Sequence, residues 1–320
     1  MALQTSGEIS LADIAAEFGG STPHSLSEYY GVDTVPASGT ISFSDFYGTS
    51  NAGQIQYTMN GTYTLSAPSS VIHILCIGAG SDGANRNTYD GGAGGGGGGL
   101  AYVNNASVTP GETLTIVVPN RAAYGTFGGY CYVQRANGTI LCRTRSNTSG
   151  SYSGTGSTVG TAKYQGGRSY GGTDAGGGGG AAGYAGNGGN GEKTDWWNSP
   201  SSSYNFPSTA GSGGGGGGGG GQRYYSGGGG GGVGILGQGS NGTAGSSTAG
   251  GGGGGSIGIV GYNGTSGSQS GSGGNGGLAG GGGGGERDGA SYGVGNGARG
   301  AVRIMWGSGR AWPSTNTQNV

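Results

Sequence analysis

The chain has 320 residues, 91 of them glycine, with 8% charged residues and a formal net charge of −1. That balance excludes the basic face a nucleic-acid partner needs, and no apolar run reaches the roughly 18 residues of a membrane-spanning helix. The opening MALQTSGEIS has neither the basic nor the apolar region of a signal peptide, so synthesis in a cytoplasm without export by that route is expected.

Residues 1–50 differ from the rest. They hold no Lys or Arg but six carboxylates, Glu8, Asp13, Glu17, Glu28, Asp33 and Asp45. Ser6-Gly7-Glu8-Ile9-Ser10-Leu11-Ala12-Asp13-Ile14 is repeated as Ser38-Gly39-Thr40-Ile41-Ser42-Phe43-Ser44-Asp45-Phe46. Each copy reads as an extended piece leading into a helix with a Ser-x-x-acid cap. In the first copy Leu11, Ile14, Ala15 and Phe18 share a face and Gly19 ends the helix. Thr22-Pro23 starts another short helix carrying Leu26, Tyr29 and Tyr30. Fifty residues make a thin core. The segment therefore reads as a docking module whose apolar residues, Leu11, Ile14, Phe18, Tyr29, Tyr30, Phe43 and Phe46, complete their burial on a partner. The alternative is a self-contained cap on the next domain.

From Gln54 the period changes to two. Ile55, Tyr57, Met59, Tyr63 and Leu65 alternate, with Asn60-Gly61 as an expected hairpin turn. Residues 71–77 form a continuous apolar strand, and strands follow at 100–103, 114–118, 130–133 and 139–143. Residues 51–170 thus read as a β-sandwich-like domain. Strand 301–306, with Val302, Ile304 and Trp306 on one face, is expected to return to the same sheet and complete it. Residues 307–320 form a polar tail. Three cysteines are too few for a disulfide framework. The Asn137-Gly138 turn sets Cys142 opposite Val133 and diagonal to Cys131, so reduced thiols are expected.

Residues 171–300 are the glycine-rich part. Stretches 176–180, 213–221, 227–232, 250–255 and 280–285 are pure glycine, and 91–99 is broken only by Ala93. Such runs suit neither helix nor ordinary strand. They fit either a flexible linker or a bundle of polyproline-II-like segments whose backbones pair side by side. The segments between the runs carry Trp, Tyr, Phe, Ile and Leu, which a linker does not use. The expectation is therefore a polyglycine bundle of rods with loops at both ends. The fold class is mainly β, with a small helical N-terminal module and the bundle inserted before the last strand.

Few residues suggest catalysis. Gly78-Ala79-Gly80-Ser81-Asp82-Gly83 after a strand fits a dinucleotide fingerprint, but no helix can follow it, so no cofactor is expected. His24 and His73 lie in different modules, no metal set is visible, and Glu192/Asp195 and Glu286/Asp288 read as solvated loop pairs. An enzyme is not expected. The best binding candidate is the loop with Asp195, Trp196, Trp197, Asn198, Tyr204 and Phe206, whose aromatic faces and polar groups suit a saccharide or a protein loop. Arg223, Tyr224 and Tyr225, and Arg287 with Tyr292, are weaker candidates. The alternative is that these aromatics roof the bundle ends.

A resemblance adds to this reading. Tyr63-Thr64-Leu65-Ser66-Ala67-Pro68, Ile74-Leu75-Cys76-Ile77-Gly78-Ala79-Gly80, Gly99-Leu100-Ala101 and Val108-Thr109-Pro110-Gly111-Glu112 resemble the glycine-rich domain of bacteriophage tail proteins. The close, from Gly300-Ala301-Val302 to Trp312-Pro313-Ser314-Thr315, looks like the end of such proteins, and the head repeat is similar to short modules of phage tail and virion proteins. The resemblance implies a virion protein of the tail fibre or baseplate. Its polyglycine-II bundle would present loops to a host surface glycan or outer-membrane protein, and residues 1–50 would join other tail proteins. Those first 50 residues depart from the attachment domain of the tip adhesins. A homotrimer is one assembly a fibre would take, though the sequence has no coiled-coil heptads. A purely architectural virion protein and an ice-binding protein are the alternative functions.

Overall fold

The computed structural model describes residues 3–85, 92–126, 128–145, 159–169, 175–193, 206–221, 225–247, 250–251, 253–254, 262–268, 272–286, 293–307 and 309–313. The protein is mainly β, with a small helical head, two antiparallel sheets and a glycine bundle. No helix among the described residues is long and apolar enough to cross a membrane.

The head contains one α-helix, α1 (Leu11–Phe18), and two single 3-10 turns, Leu26–Tyr29 and Phe43–Phe46. Each begins with a capping box, Ser10/Asp13, Ser25/Glu28 and Ser42/Asp45. The second copy of the repeat is thus a single 3-10 turn. Phe46 enters the core at once, and the chain then turns at Gly48, whose φ is +74°. The rings of Phe18, Tyr29 and Phe46 meet pairwise with centroids 6.0–6.4 Å apart.

This core is internal, which corrects part of the docking expectation. Ile14, Tyr29 and Phe46 are buried inside the head and have no face for a partner. Leu11 and Phe18 are half-buried, and Tyr30 and Phe43 are exposed. The head's acidity also has internal uses. Asp13, Glu28 and Asp45 accept the backbone N–H groups of their own caps, Asp33 accepts from Ser50, and Glu17 accepts from Asn51.

The sandwich has strands β1 (Gly53–Tyr57), β2 (Gly61–Ser66), β3 (Val71–Ile77), β4 (Leu100–Ser107), β5 (Thr113–Val118), β6 (Cys131–Arg135), β7 (Ile140–Thr144), β8 (Ala162–Tyr164) and β9 (Ala301–Trp306). One sheet runs β1-β9-β3-β4-β8 and the other β2-β5-β6-β7. The last strand pairs antiparallel with both β1 and β3. Ile72, Ile74, Cys76, Val302 and Ile304 of the first sheet pack on Leu114, Ile116, Cys131, Val133 and Cys142 of the second. All three cysteines are free and buried, and Cys142 pairs with Val133.

The expected hairpin at Asn60-Gly61 does not form. β1 pairs with β9 and β2 with β5, so residues 58–60 cross between the sheets. The crossing lets both inward faces contribute to one core, and the rings of Tyr57 and Tyr63 meet at 4.8 Å.

The glycine bundle is a hexagonal lattice. Rod 175–182 shows its rule. Gly176, Gly179 and Ala182 donate their N–H groups to Gly92, Gly95 and Gly98 of one rod. Gly177 and Gly180 donate to Glu192 and Gly189 of a second, and Gly178 and Ala181 to Gly228 and Gly231 of a third. The carbonyls of the same rod are taken by three more rods, through Gly285 and Gly282, Gly219 and Gly216, and Gly167. These bonds span 2.7–3.0 Å. Meeting each neighbour at every third residue is the signature of a three-fold, polyproline-II-like helix.

The remaining pairings extend this lattice into rows of three, four, four and three rods. The first row is 78–84, 92–99 and 165–169. The second is 293–299, 281–286, 175–182 and 187–192. The third is 272–278, 227–233, 215–221 and 208–211. The fourth is 262–268, the rod of Gly251 and Gly254, and 241–247. The bundle therefore begins well before residue 171 and recruits rods from within the sandwich sequence.

Among the described residues, four rods are surrounded on all sides, 281–286, 175–182, 227–233 and 215–221. They coincide with four of the pure glycine runs. A Cβ on Gly179 would lie 2.1 Å from the Gly167 carbonyl oxygen, and one on Gly230 2.1 Å from that of Gly179. Perimeter rods keep glycine on the inward line and carry Asn, Thr, Ser and Ala outside. There a side chain replaces the missing outer rod. Asn187 Oδ1 accepts the Gln165 N–H, Asn190 Oδ1 that of Arg168, and Asn275 Oδ1 that of Asn296.

One end of the bundle closes on the outer face of the first sheet. Ala181, Tyr184, Val233, Ile235 and Ala279 pack there on Leu75, Ile77, Leu100, Tyr102 and Met305. Both faces of β3 are therefore dry. This explains why its sequence is an unbroken apolar run rather than an alternating one.

Candidate functional site at the distal end of the bundle

The bundle has one end on the sheet and one end away from it. Tyr184, Val233 and Ala279 mark the near end. At the far end, Gly176 pairs with Gly92 and Gly285, and Gly219 with Glu192. Following the rods outward, seven segments leave and return at this far end, 86–91, 170–174, 194–205, 222–224, 248–249, 269–271 and 287–292. The antiparallel path produces this, since every second connection of a back-and-forth chain falls at the same end.

Asp195, Trp196, Trp197, Asn198 and Tyr204 lie in segment 194–205, outside the described residues. Arg223, Tyr224, Arg287 and Tyr292 are outside them too. The described residues do place the attachment points of all three candidate segments at the far end. Tyr225 is half-buried at the start of rod 227–233, and Phe206 is 46% exposed.

Segment 194–205 is clamped at its base. The Lys193 N–H donates to the Phe206 carbonyl at 2.8 Å, and the Phe206 N–H donates back at 3.1 Å. The Lys193 ammonium lies 6.0 Å from the Phe206 ring centroid, a cation–π contact. Just below, Glu192 Oε2 accepts the Gly221 N–H at 2.9 Å and so ties two neighbouring loop bases together. Burial raises the Glu192 pKa, against the lowering effect of the Gly221 and Ser247 N–H bonds. Glu286 is buried and accepts the Gly293 N–H, closing the base of segment 287–292.

The expectation of solvated carboxylates at Glu192 and Glu286 is corrected: Glu286 is buried, Glu192 half-buried, and both accept neighbouring backbone N–H groups. Lys193 had no sign in the sequence beyond its place at the junction of a glycine rod and a loop. Among the described residues no group of three or more His, Cys, Asp or Glu side chains could hold a metal ion. The far end thus holds hydrogen-bonded attachment points for these segments. No family model matches the chain, and no curated protein matches its sequence.

Proposed function

We propose that this chain is a bacteriophage tail protein that displays receptor-binding loops at the far end of its glycine bundle, with the Trp196–Trp197 segment as principal contact. One observation carries the reading, the convergence of seven loop attachments at the end of a rigid lattice remote from the head. A hydrogen-bonded base lowers the ordering cost each loop would otherwise bear on binding. The resemblance of the sandwich, glycine and closing segments to phage tail proteins supplies the tail context. The loop composition, aromatic with Asp, Asn and Arg, suits a glycan or a protein loop on a cell envelope.

The test is binding of the labelled protein to a panel of bacterial cells. A variant replacing 194–205 by a two-glycine link keeps the Lys193–Phe206 clamp, so it removes the loop and spares the lattice. Loss of binding in this variant and in Trp196→Ala/Trp197→Ala supports the reading. Binding that survives both moves the contact to the other loops. No binding on a panel containing the host overturns the adhesin role in favour of an architectural virion part.

A further inference from the structure

A concave site lies where the head meets the sandwich. It is a cleft of about 500 Å³ whose walls include Glu17, Asn51, Ser70, His73, Asn105 and Arg310. Two of these are unusual. Arg310 is 6% exposed and His73 5% exposed, yet both border open space. The Arg310 guanidinium donates to the Gly53 carbonyl and to Gln54 Oε1, both neutral, and among the described residues no carboxylate is paired with it. Burial lowers its pKa, as expected for a desolvated cation.

The protonation of His73 follows from its neighbours. Asn104 Nδ2 donates to the Trp312 carbonyl and its Oδ1 accepts the Trp312 N–H, so the amide orientation is fixed. His73 Nδ1, 3.3 Å from that Oδ1, must then be the donor. Burial and the charge of Arg310 both favour the neutral ring. Nε2 is left as a lone-pair acceptor, with no hydrogen-bond donor to it among the described residues. A bulge helps shape this wall. Ile72 pairs with Ala106 and Ile74 with Val103, so Asn104 and Asn105 together oppose His73, and Asn105 has φ +57°. Bulges of this kind re-aim side chains beside sites.

We infer that this cleft binds a hydroxylated carboxylate, its carboxylate against Arg310 and its hydroxyls donating to His73 Nε2 and the Glu17 carboxylate. A buried cation hydrogen-bonded only to neutral groups among the described residues favours an oxyanion. Two acceptors in the same space favour a ligand with hydroxyl donors, and Glu17 disfavours a second negative charge. The chemistry is that of a free hydroxy acid or of a uronic-acid unit in an acidic glycan. The inference is independent of the receptor role proposed for the loops.

The test follows the His73 ring resonance of the full chain in the presence of glucuronate, glucose and succinate. Glucuronate is expected to shift it saturably, succinate at least about tenfold more weakly, and glucose not at all. Arg310→Met should abolish the glucuronate shift. Because that variant also loses the bonds to Gly53 and Gln54, Ser70→Trp is the companion, filling the mouth of the cleft with those bonds intact. An equal response to glucose, no response to glucuronate, or a response unchanged in Ser70→Trp overturns the inference. Tighter binding of an oligoglucuronate than of glucuronate assigns the ligand to a glycan, and equal affinity assigns it to a free acid.

Discussion

Asn104 on β4 and Trp312 beyond β9 exchange two hydrogen bonds, Nδ2 to the Trp312 carbonyl at 2.6 Å and the Trp312 N–H to Oδ1 at 2.9 Å. The side-chain amide thereby acts as one more strand residue and pins the segment that follows the last strand. Trp312 in turn stacks on the buried Tyr184 ring at 5.5 Å, with the Arg303 guanidinium 5.6 Å from its own ring. Burial lowers the Arg303 pKa to about 10, so it stays charged at neutral pH. One amide thus links head cleft, sheet and bundle. Asn104→Asp cannot donate to the Trp312 carbonyl and is expected to cost about 1–3 kcal/mol. Chemical denaturation followed by tryptophan fluorescence checks this, and an unchanged midpoint would remove the pin from the account.

The lattice makes a sharp distinction among glycines. Gly179→Ala forces a methyl onto the Gly167 carbonyl oxygen, so a loss of about 3 kcal/mol is expected. Gly111 has φ +81° but nothing within 4 Å of a Cβ, so Gly111→Ala should cost only the backbone term, about 1 kcal/mol. Thermal unfolding of the two variants side by side checks the ordering. Similar losses would mean that the surrounded rods tolerate side chains.

Perimeter closure predicts a contrast at a single position. Asn190→Leu leaves the Arg168 N–H without its acceptor and should cost about 1–2 kcal/mol. Asn190→Asp keeps an acceptor at the same place and should cost much less. Hydrogen exchange at the Arg168 amide reports the effect locally, and fast exchange in both variants or in neither would contradict it.

Acid should loosen the head before the bundle. The Ser10 hydroxyl and N–H lower the Asp13 pKa against a small opposing effect of lost hydration. For Glu28, lost hydration raises the pKa, but the Ser21 and Ser25 N–H bonds and His24 outweigh it and the net shift is downward. A depressed carboxylate stabilises the folded state above its unfolded pKa of about 4, and the contribution is lost as pH falls through the folded value. Glu192 has the opposite sign, since burial raises its pKa and its protonation favours the folded chain. The expected result is earlier exposure of the Phe18, Tyr29 and Phe46 rings on acid titration, by near-ultraviolet circular dichroism or amide exchange. Simultaneous loss of head and bundle would refute it.

Much of this architecture was legible because its causes are local. Ser-x-x-acid spacing specified the capped turns of both repeat copies, whereas the middle turn, expected from Thr22-Pro23, starts at Leu26 behind Ser25. Cys142 pairs with Val133 as expected, but through a 136–138 loop and a bulge between Val133 and Gln134. Four of the five pure glycine runs marked the rods with a neighbour on every side, the fifth, 250–255, lying in the outer row. What was hidden depended on distant partners. Asn60-Gly61 has hairpin chemistry, yet β1 is claimed by a strand more than 200 residues later. Gly78 to Gly83 looked like a failed phosphate loop and is a lattice rod, because its neighbours at 295–298 and 93–96 are remote in sequence. The cleft was invisible for the same reason, since Glu17, His73 and Arg310 meet only after folding.

The three-residue rhythm of the lattice restricts how such a molecule can change length. One or two residues inserted in a surrounded rod would turn every later N–H toward the wrong neighbour. Three would restore the phase and add about 9 Å. The frame therefore grows only in quanta, and a quantum added to one rod must be matched by those beside it. No such count governs the segments at the far end, because they begin where the lattice stops. Drift of any size is open to the tip, while the scaffold beneath it is digital.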